Sequence, residues 1–208
     1  MGYFPFFVEL SGQPGLIVGG GSVALRKLEK LLPFGPRLTV VAPEIDPAIR
    51  QLEGVRLLEC PFAPEDLEGQ AFVIAATDSR PVNQQVAALC RARRILVDVA
   101  DDGSEGTFLF PALVRRGDLT VGISTGGASP GAAAYLRRQV EALLPQRLEE
   151  ILDFIQTKRE QIKSEVPEEA RRTLLRRLLE QAMAFGRPLT GEETEHIWRA
   201  VMAQEENG

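Results

Sequence analysis

Apolar and polar positions alternate in blocks along the first half of the chain. Mostly apolar runs, each of strand length, occupy residues 15–18, 38–42, 55–58, 71–76 and 95–99. Apolar residues at helical spacing lie between some of these runs, at residues 23–32 and 82–93. Strands that are apolar on both faces and alternate with helices predict an α/β fold whose parallel sheet is covered on both sides.

The pattern changes after residue 100. Residues 107–111 and 119–123 are strand-like, and the polar residues 115–118 between them suit a turn. We therefore expect a hairpin, which is either added to the sheet or part of a second small layer.

The rest of the chain is predicted to be helical. Ser129 and Pro130 have the residue types of an N-cap and of a first helical position. Prolines 145 and 167 and the 186–188 segment divide the C-terminal part of the chain into about four helices, the last beginning at a capping-box sequence in residues 190–193. The chain is thus expected to have three parts: a sheet domain at 1–113, a small central segment at 114–146 and a helical domain at 147–208.

Composition and charge narrow the class of protein. A hydrophobic fraction of 44% in 208 residues is enough for a sizeable core, and the net charge of −5 argues against nucleic-acid binding through overall charge. Cys60 and Cys90 have neither metal-ligand spacing nor a disulfide framework. No apolar run reaches membrane-spanning length, and no basic segment precedes an apolar one at the start. We expect a cytoplasmic protein with no membrane partner.

A glycine-rich turn follows the first predicted strand. Residues 19–24 fit the pattern G-x-G-x-x-A at a strand-to-helix junction. In this pattern the first glycine permits the turn, the second lets the backbone approach a pyrophosphate, and the alanine lets helix and strand pack closely. The helix N-terminus adds free N–H groups. The sequence predicts a Rossmann-type site for NAD at Gly19, Gly20, Gly21, Ser22 and Val23.

Two further strand ends supply candidate cofactor contacts. The second strand is followed by Pro43 and Glu44, and Glu44 either reaches the ribose or is a solvated turn residue. No arginine stands immediately beside Glu44, which favours NAD over NADP. The fourth strand is followed by Thr77 and Asp78, with Asn83 further on; these residues line the ligand crevice, cap the next helix through Asp78 or Ser79, or do both.

The usual groups for alcohol oxidation are missing. The single histidine, His196, is predicted on the face of an amphipathic helix, and Tyr135 has no lysine four residues later. Zinc ligands are also lacking. The carboxylates within residues 98–102 follow a strand, where they act as a general base or simply form a polar turn.

A second glycine-rich loop precedes the predicted helix at Pro130. Residues 124–130 combine two glycines with three hydroxyl side chains, more than a helix cap needs, and the loop ends at a helix N-terminus. Such a loop is suited to binding an anion. The candidate ligand contacts are Ser124, Thr125, Gly126, Gly127 and Ser129.

Taken in order, these motifs resemble the precorrin-2 dehydrogenase family of sirohaem biosynthesis, which includes the N-terminal half of bifunctional sirohaem synthase. The motifs are the segments at residues 5–7, 16–27, 41–43, 75–83, 98–108 and 124–130. The resemblance implies NAD-dependent oxidation of precorrin-2, a tetrapyrrole with eight carboxylates, to sirohydrochlorin. It places the family's key aspartate on Asp101, with Asp102 as the neighbouring alternative, and it implies a homodimer to which the central segment contributes.

Three alternatives stay open at this point. Some members of the family also insert iron into sirohydrochlorin, and no histidine here is predicted near the site. A second alternative is a non-catalytic NAD-binding sensor with a helical tail. The third, a methyltransferase whose glycine loop holds S-adenosylmethionine, fits the helix start and the proline after the second strand less well.

Overall fold

A computed structural model of the chain describes residues 3–205. The chain divides into two compact units. The first unit contains the chain up to Phe110 together with Gly126–Ala128, and the second contains Pro111–Thr125 and the chain from Ser129 onward. Each unit has a hydrophobic core of its own.

The first unit is built on a five-stranded parallel sheet. Its strands are β1 Pro14–Val18, β2 Arg37–Val41, β3 Val55–Leu58, β4 Phe72–Ala75 and β5 Leu96–Val99. Their order across the sheet is β3-β2-β1-β4-β5, so the direction of winding reverses between β1 and β4. The predicted parallel sheet of apolar strands is confirmed, and a ligand crevice is expected at the carboxyl ends where the winding reverses.

Helices cover both faces of this sheet, as the apolar runs predict. The helices are α1 Ser22–Leu31, the single turn α2 Pro47–Arg50 and α3 Arg80–Arg93, with short 3-10 helices at Leu32–Phe34, Pro64–Leu67 and Gly103–Glu105. Ile17 of β1 packs in the core cluster that contains Leu28 of α1. The next strand residue, Val18, packs in the cluster that contains Val86 of α3. Alternate side chains of one strand therefore enter two cores.

The prediction of a strand at residues 107–111 is wrong. The N–H groups of Thr107 and Phe108 both donate to the carbonyl of Val97, at 2.7 and 3.3 Å, and the Thr107 hydroxyl accepts from the Val97 N–H at 2.8 Å. Two successive N–H groups that share one carbonyl cannot continue a regular ladder. Pro111 then has no N–H to donate.

The hairpin begins five residues later than predicted. Its strands are β6 Ala112–Arg116 and β7 Leu119–Ile123, which form an antiparallel two-stranded sheet separate from the first. The turn is only Gly117 and Asp118, and Gly117 has a φ of +54°. Arg115 and Arg116, predicted to lie in the turn, belong to β6 and pair with Thr120 and Leu119, because two residues suffice for the turn when Gly117 takes the left-handed conformation.

The predicted division of the C-terminal half into four helices is confirmed. They are α4 Pro130–Leu143, α5 Leu148–Glu165, α6 Glu168–Phe185 and α7 Gly191–Glu205. Ser129 caps α4 by accepting a hydrogen bond from the Ala132 N–H at 3.1 Å. The capping box at the start of α7 is also present: the Glu193 carboxylate accepts from the Thr190 N–H at 2.8 Å, and the Thr190 hydroxyl accepts from the Glu193 N–H at 3.3 Å. None of the helices in residues 3–205 is both long and apolar enough to span a membrane.

Candidate functional site

A cleft of about 900 Å³ opens at the carboxyl ends of β1, β2 and β4. It lies where the winding of the sheet reverses. All nine residues predicted to contact the dinucleotide line this cleft: Gly19, Gly20, Gly21, Ser22, Val23, Pro43, Glu44, Thr77 and Asp78. The fold therefore brings together three chain segments that are separated by up to about 60 positions in the sequence.

The three glycines of the turn have different structural requirements. Gly19 has a φ of +125°, and a Cβ there would lie 2.3 Å from the carbonyl oxygen of Ala76. A Cβ on Gly20 would lie 2.1 Å from the carbonyl oxygen of Glu44. A Cβ on Gly21 would meet no atom of the described residues within 4 Å. Gly19 and Gly20 thus permit the turn to pack, whereas Gly21 leaves open space beside the cleft.

The start of α1 is suited to a pyrophosphate. Gly21 is the N-cap residue and has an extended backbone, and no side chain of the described residues caps the helix. The first N–H groups of a helix have no acceptor within that helix. They also lie at the positive end of its dipole. Open space at Gly21 beside uncapped amide groups therefore fits the phosphates of a dinucleotide.

The end of the cleft near β2 carries negative rather than positive charge. Glu44 is exposed and lines the cleft, while the Asp46 carboxylate is occupied in capping α2 through the Ala48 N–H at 2.8 Å. Neither lysine nor arginine is found among the described residues that line the cleft. Arg50, the arginine nearest in sequence, pairs with the carboxylate of Glu59. An acidic, cation-free ribose end fits a 2′-hydroxyl better than a 2′-phosphate.

A buried asparagine connects the end of β4 to the end of β5. Asn83, in the first turn of α3, is 1% exposed. Its Oδ1 accepts from the Thr77 N–H at 3.1 Å and from the Thr77 hydroxyl at 2.7 Å. Its Nδ2 donates to the Thr77 carbonyl at 3.0 Å and to Asp101 Oδ1 at 2.9 Å. The side chain of Asn83 thereby fixes the Asp101 carboxylate relative to the lining of the cleft.

The structure distinguishes the three aspartates of residues 98–102. Asp98 is buried and paired with Lys27 at 2.7 Å. Asp102 accepts hydrogen bonds from the Ser104 hydroxyl and N–H, and these bonds lower the pKa of the Asp102 carboxyl. Asp101 is exposed and receives only the hydrogen bond from Asn83 within the described part of the chain. Because Asp102 Oδ2 also pairs with Arg80 at 3.5 Å, Asp101 is the one of the three whose carboxylate is available to a ligand.

The second glycine loop uses its hydroxyl groups internally. The Thr125 hydroxyl accepts from the Ser129 N–H and donates to the Ser129 carbonyl, both at 3.0 Å, while the Ser129 hydroxyl caps α4. Gly126 and Gly127 have φ values of +63° and +89°, and a Cβ on either would meet open space in the described structure. The contacts of Ser124, Thr125, Gly126, Gly127 and Ser129 with a substrate stay a prediction.

Two features of the site were not predicted. One is the contact of Asn83 with Asp101, and the other is the requirement for Gly20, which occupies a variable position of the glycine pattern. An asparagine in the first turn of a helix that follows a strand end could have indicated the first. The expected cap on α3 is absent: Ser79 occupies the N-cap position but makes no capping hydrogen bond with its side chain.

Two family models match the chain. Residues 6–112 match the family described as putative NAD(P)-binding, and residues 116–143 match the family described as sirohaem biosynthesis protein central. The first match covers just over half of the chain. The chain belongs to the putative NAD(P)-binding family. This membership confirms the predicted nicotinamide dinucleotide cofactor and disfavours the methyltransferase alternative.

Curated relatives agree with the second family match. The chain is 43% identical over 167 residues to siroheme synthase 3 of Aeromonas hydrophila subsp. hydrophila, covering 79% of this chain and 36% of that protein. It is 39% identical over 196 residues to the siroheme synthase of Tolumonas auensis, covering 94% of this chain and 41% of that protein. The chain thus spans roughly two-fifths of the length of these relatives.

A solved structure titled SirC, precorrin-2 dehydrogenase, is similar in fold. The TM-score is 0.73, the identity is 24%, and the match covers 97% of this chain and all of the other. At this identity the likeness shows a shared fold. The predicted fold class and the resemblance to the precorrin-2 dehydrogenase family are confirmed by these matches together.

Proposed function

We propose that the chain is an NAD-dependent precorrin-2 dehydrogenase, which oxidises precorrin-2 to sirohydrochlorin. The observation that carries this proposal is the 2.9 Å hydrogen bond from Asn83 Nδ2 to Asp101 Oδ1. It holds an exposed carboxylate beside Thr77, a residue of the dinucleotide cleft. A carboxylate held next to a nicotinamide site is the group that a combined loss of hydride and proton requires.

The reaction removes two hydrogens from precorrin-2, one as a hydride and one as a proton. NAD, when bound, supplies the nicotinamide ring that accepts the hydride. The Asp101 carboxylate accepts the proton that the substrate loses as the new double bond forms, so one hydride and one proton leave for each NADH produced. Asn83 occupies Oδ1, and Oδ2 makes no hydrogen bond among the described residues, so Oδ2 is the oxygen that takes the proton.

The remaining assignments of the site follow from this reaction. Ser22, Val23 and the three glycines bind the pyrophosphate through backbone N–H groups, and Glu44 binds the ribose hydroxyls. The loop at 124–130 contacts substrate carboxylates through its backbone. The family resemblance further implies a homodimer, tested by sedimentation, and a cytoplasmic location, tested by cell fractionation.

The proposal is tested by incubating the purified protein with precorrin-2 and NAD and following sirohydrochlorin by its absorbance. We expect formation of sirohydrochlorin and NADH in equal amounts, and faster turnover with NAD than with NADP. Asp101→Asn is the matched variant, because it keeps the size of the side chain and removes the base. If the wild-type protein shows no NAD-dependent turnover of precorrin-2, the proposal is wrong. If Asp101→Asn turns over precorrin-2 as fast as the wild type, the role assigned to Asp101 is wrong.

The same assay separates the two alternatives. Among the described residues, no three histidine, cysteine or acidic side chains come together in a way that could hold a metal ion. Adding ferrous or cobaltous ion to the product tests for chelatase activity, which would appear as a metal-dependent change of the sirohydrochlorin spectrum. A sensor would bind NAD, as measured by calorimetry, without consuming precorrin-2.

A further inference from the structure

A second, smaller cavity of about 220 Å³ is lined by α1 and by the residue that follows β5. Three of its five lining residues are cations, Arg26, Lys27 and Lys30, and the other two are Val23 and Ala100. Val23 also lines the dinucleotide cleft. Ala100 immediately precedes Asp101 in the chain. The small cavity therefore adjoins both the cofactor cleft and the segment that carries the proposed base.

The cavity concentrates positive charge in a chain whose net charge is −5. Lys27 is paired with the buried Asp98 at 2.7 Å, and its ammonium group also lies 4.1 Å from the centre of the Phe110 ring. Lys30 approaches the same ring at 5.7 Å. No acidic side chain is among the described residues that line the cavity. Because Lys27 is paired with Asp98, the positive charge that the lining offers to an anion comes from Arg26 and Lys30.

The position of the cavity indicates which anion it binds. The cofactor's ribose end is assigned to the β2 side of the sheet, near Glu44, where no cation lines the cleft. The basic cavity is beside β5, which lies on the other side of β1 from β2 in the strand order. It is therefore placed away from a 2′-phosphate. A volume of about 220 Å³ is also too small for a tetrapyrrole ring, since pockets for drug-sized ligands start at about 300 Å³.

We propose that Arg26 and Lys30 form a subsite for peripheral carboxylates of the substrate. This inference rests on the proposed function, which supplies a substrate with carboxylate side chains around a flat ring. With the carboxylates on α1, the ring lies over Ala100 and its edge faces Asp101. Lys27 supports the subsite by holding its ammonium group between Asp98 and Phe110.

The test compares Arg26→Gln/Lys30→Gln with Arg56→Gln/Arg172→Gln, which removes the same charge from exposed positions outside both cavities. Lys27 is left intact so that Asp98 stays paired. We expect the KM for precorrin-2 to rise at least tenfold in the first variant, since one charge-assisted contact is worth about 1.5–3 kcal/mol, with the Kd for NAD unchanged. The control variant is expected to keep the wild-type KM.

Direct binding distinguishes failure of the subsite from failure of the proposed function. Uroporphyrin, an octacarboxylate porphyrin, serves as a probe that undergoes no turnover here, and its binding is followed by fluorescence. If the wild-type protein does not oxidise precorrin-2 but Arg26→Gln/Lys30→Gln weakens uroporphyrin binding at least tenfold, the proposed function fails and the subsite stands. If precorrin-2 is oxidised with the same KM by wild type and variant, the subsite is wrong and the proposed function stands.

Discussion

Asn83 Nδ2 donates a 2.9 Å hydrogen bond to Asp101 Oδ1, and the same amide holds the Thr77 backbone. We predict that Asn83→Asp lowers kcat at least tenfold while the protein still folds. The new carboxylate can still accept from the Thr77 N–H, but it places a second negative charge beside Asp101 and removes the donor. A turnover assay measures the effect on kcat, and calorimetry with NAD measures any effect on cofactor binding separately. An unchanged kcat would mean that Asn83 only supports the turn.

Asn83→Ala is the companion variant, because it removes both functions of the side chain. It leaves the Thr77 N–H without its acceptor in a buried position, which costs about 1–3 kcal/mol of unfolding free energy. Urea denaturation measures this loss. If Asn83→Asp were destabilised as much as Asn83→Ala, the effect of Asn83→Asp on kcat would have to be attributed to folding.

Gly21 and Gly20 are predicted to respond differently to substitution. Gly21→Asp should abolish NAD binding without lowering the melting temperature, because its side chain enters open space and places a negative charge where the pyrophosphate binds. Gly131→Asp is the matched control, since it adds the same charge at an open position near the start of another helix. Unchanged NAD affinity in Gly21→Asp would contradict the assigned phosphate site.

Gly20→Ala should instead destabilise the first unit. Its Cβ would overlap the Glu44 carbonyl oxygen at 2.1 Å, and both partners are backbone that cannot rotate away. We expect a loss of about 1–3 kcal/mol, typical of overpacking, measured by chemical denaturation. A variant as stable as the wild type would show that the loop after β2 moves freely.

The ion pair of Lys27 and Asp98 joins α1 to β5, and its side chains are only 18% and 7% exposed. Lys27→Met should lower the unfolding free energy by about 3 kcal/mol, because it leaves a buried carboxylate unpaired. Lys27→Met/Asp98→Asn should be more stable than Lys27→Met. Lys163→Met, at an exposed position of α5, controls for loss of a lysine. Equal stability of both Lys27 variants would show that leaving the Asp98 carboxylate unpaired has no cost.

Stability in acid should depend on Glu193. The Arg187 guanidinium and the Thr190 N–H lower the pKa of the Glu193 carboxyl from 4.5 to about 2. Its contribution is therefore complete above about pH 5 and is lost as the pH falls towards 2. The melting temperature of the wild type should exceed that of Glu193→Gln at neutral pH, and the gap should narrow below about pH 5 and close as the pH approaches 2. Glu192→Gln, which removes a charge from the same helical turn, is the matched control.

The two cysteines should differ in reactivity. Cys60 is exposed, whereas Cys90 is buried and burial raises the pKa of its thiol to about 11. Because the thiolate is the reactive form, we expect one thiol per chain to react with a disulfide reagent under native conditions and two after denaturation. Reaction of both thiols in the native protein would contradict the burial of Cys90.

The sequence alone determined the parallel sheet and the glycine turn. Apolar runs of strand length and the spacing of residues 19–24 are local signals, and each is read without knowing where the rest of the chain lies. The Ser129 cap and the capping box at Thr190 are equally local, since both join residues three positions apart. Sequence order also brought Asp101 forward as the candidate base, through the family resemblance.

Only the tertiary structure decided which groups meet. Asn83 contacts Asp101 across 18 positions, and Lys27 contacts Asp98 across 71, because α1 and α3 pack on opposite faces of one sheet whose strands end at the same edge. Glycine is required at position 20 because a Cβ there would overlap the carbonyl oxygen of Glu44, 24 positions away in the sequence. Residues 107–111 look like a strand locally, but the N–H groups of Thr107 and Phe108 both donate to a single carbonyl of β5. Such contacts depend on how distant segments pack, and a local pattern carries no record of that packing.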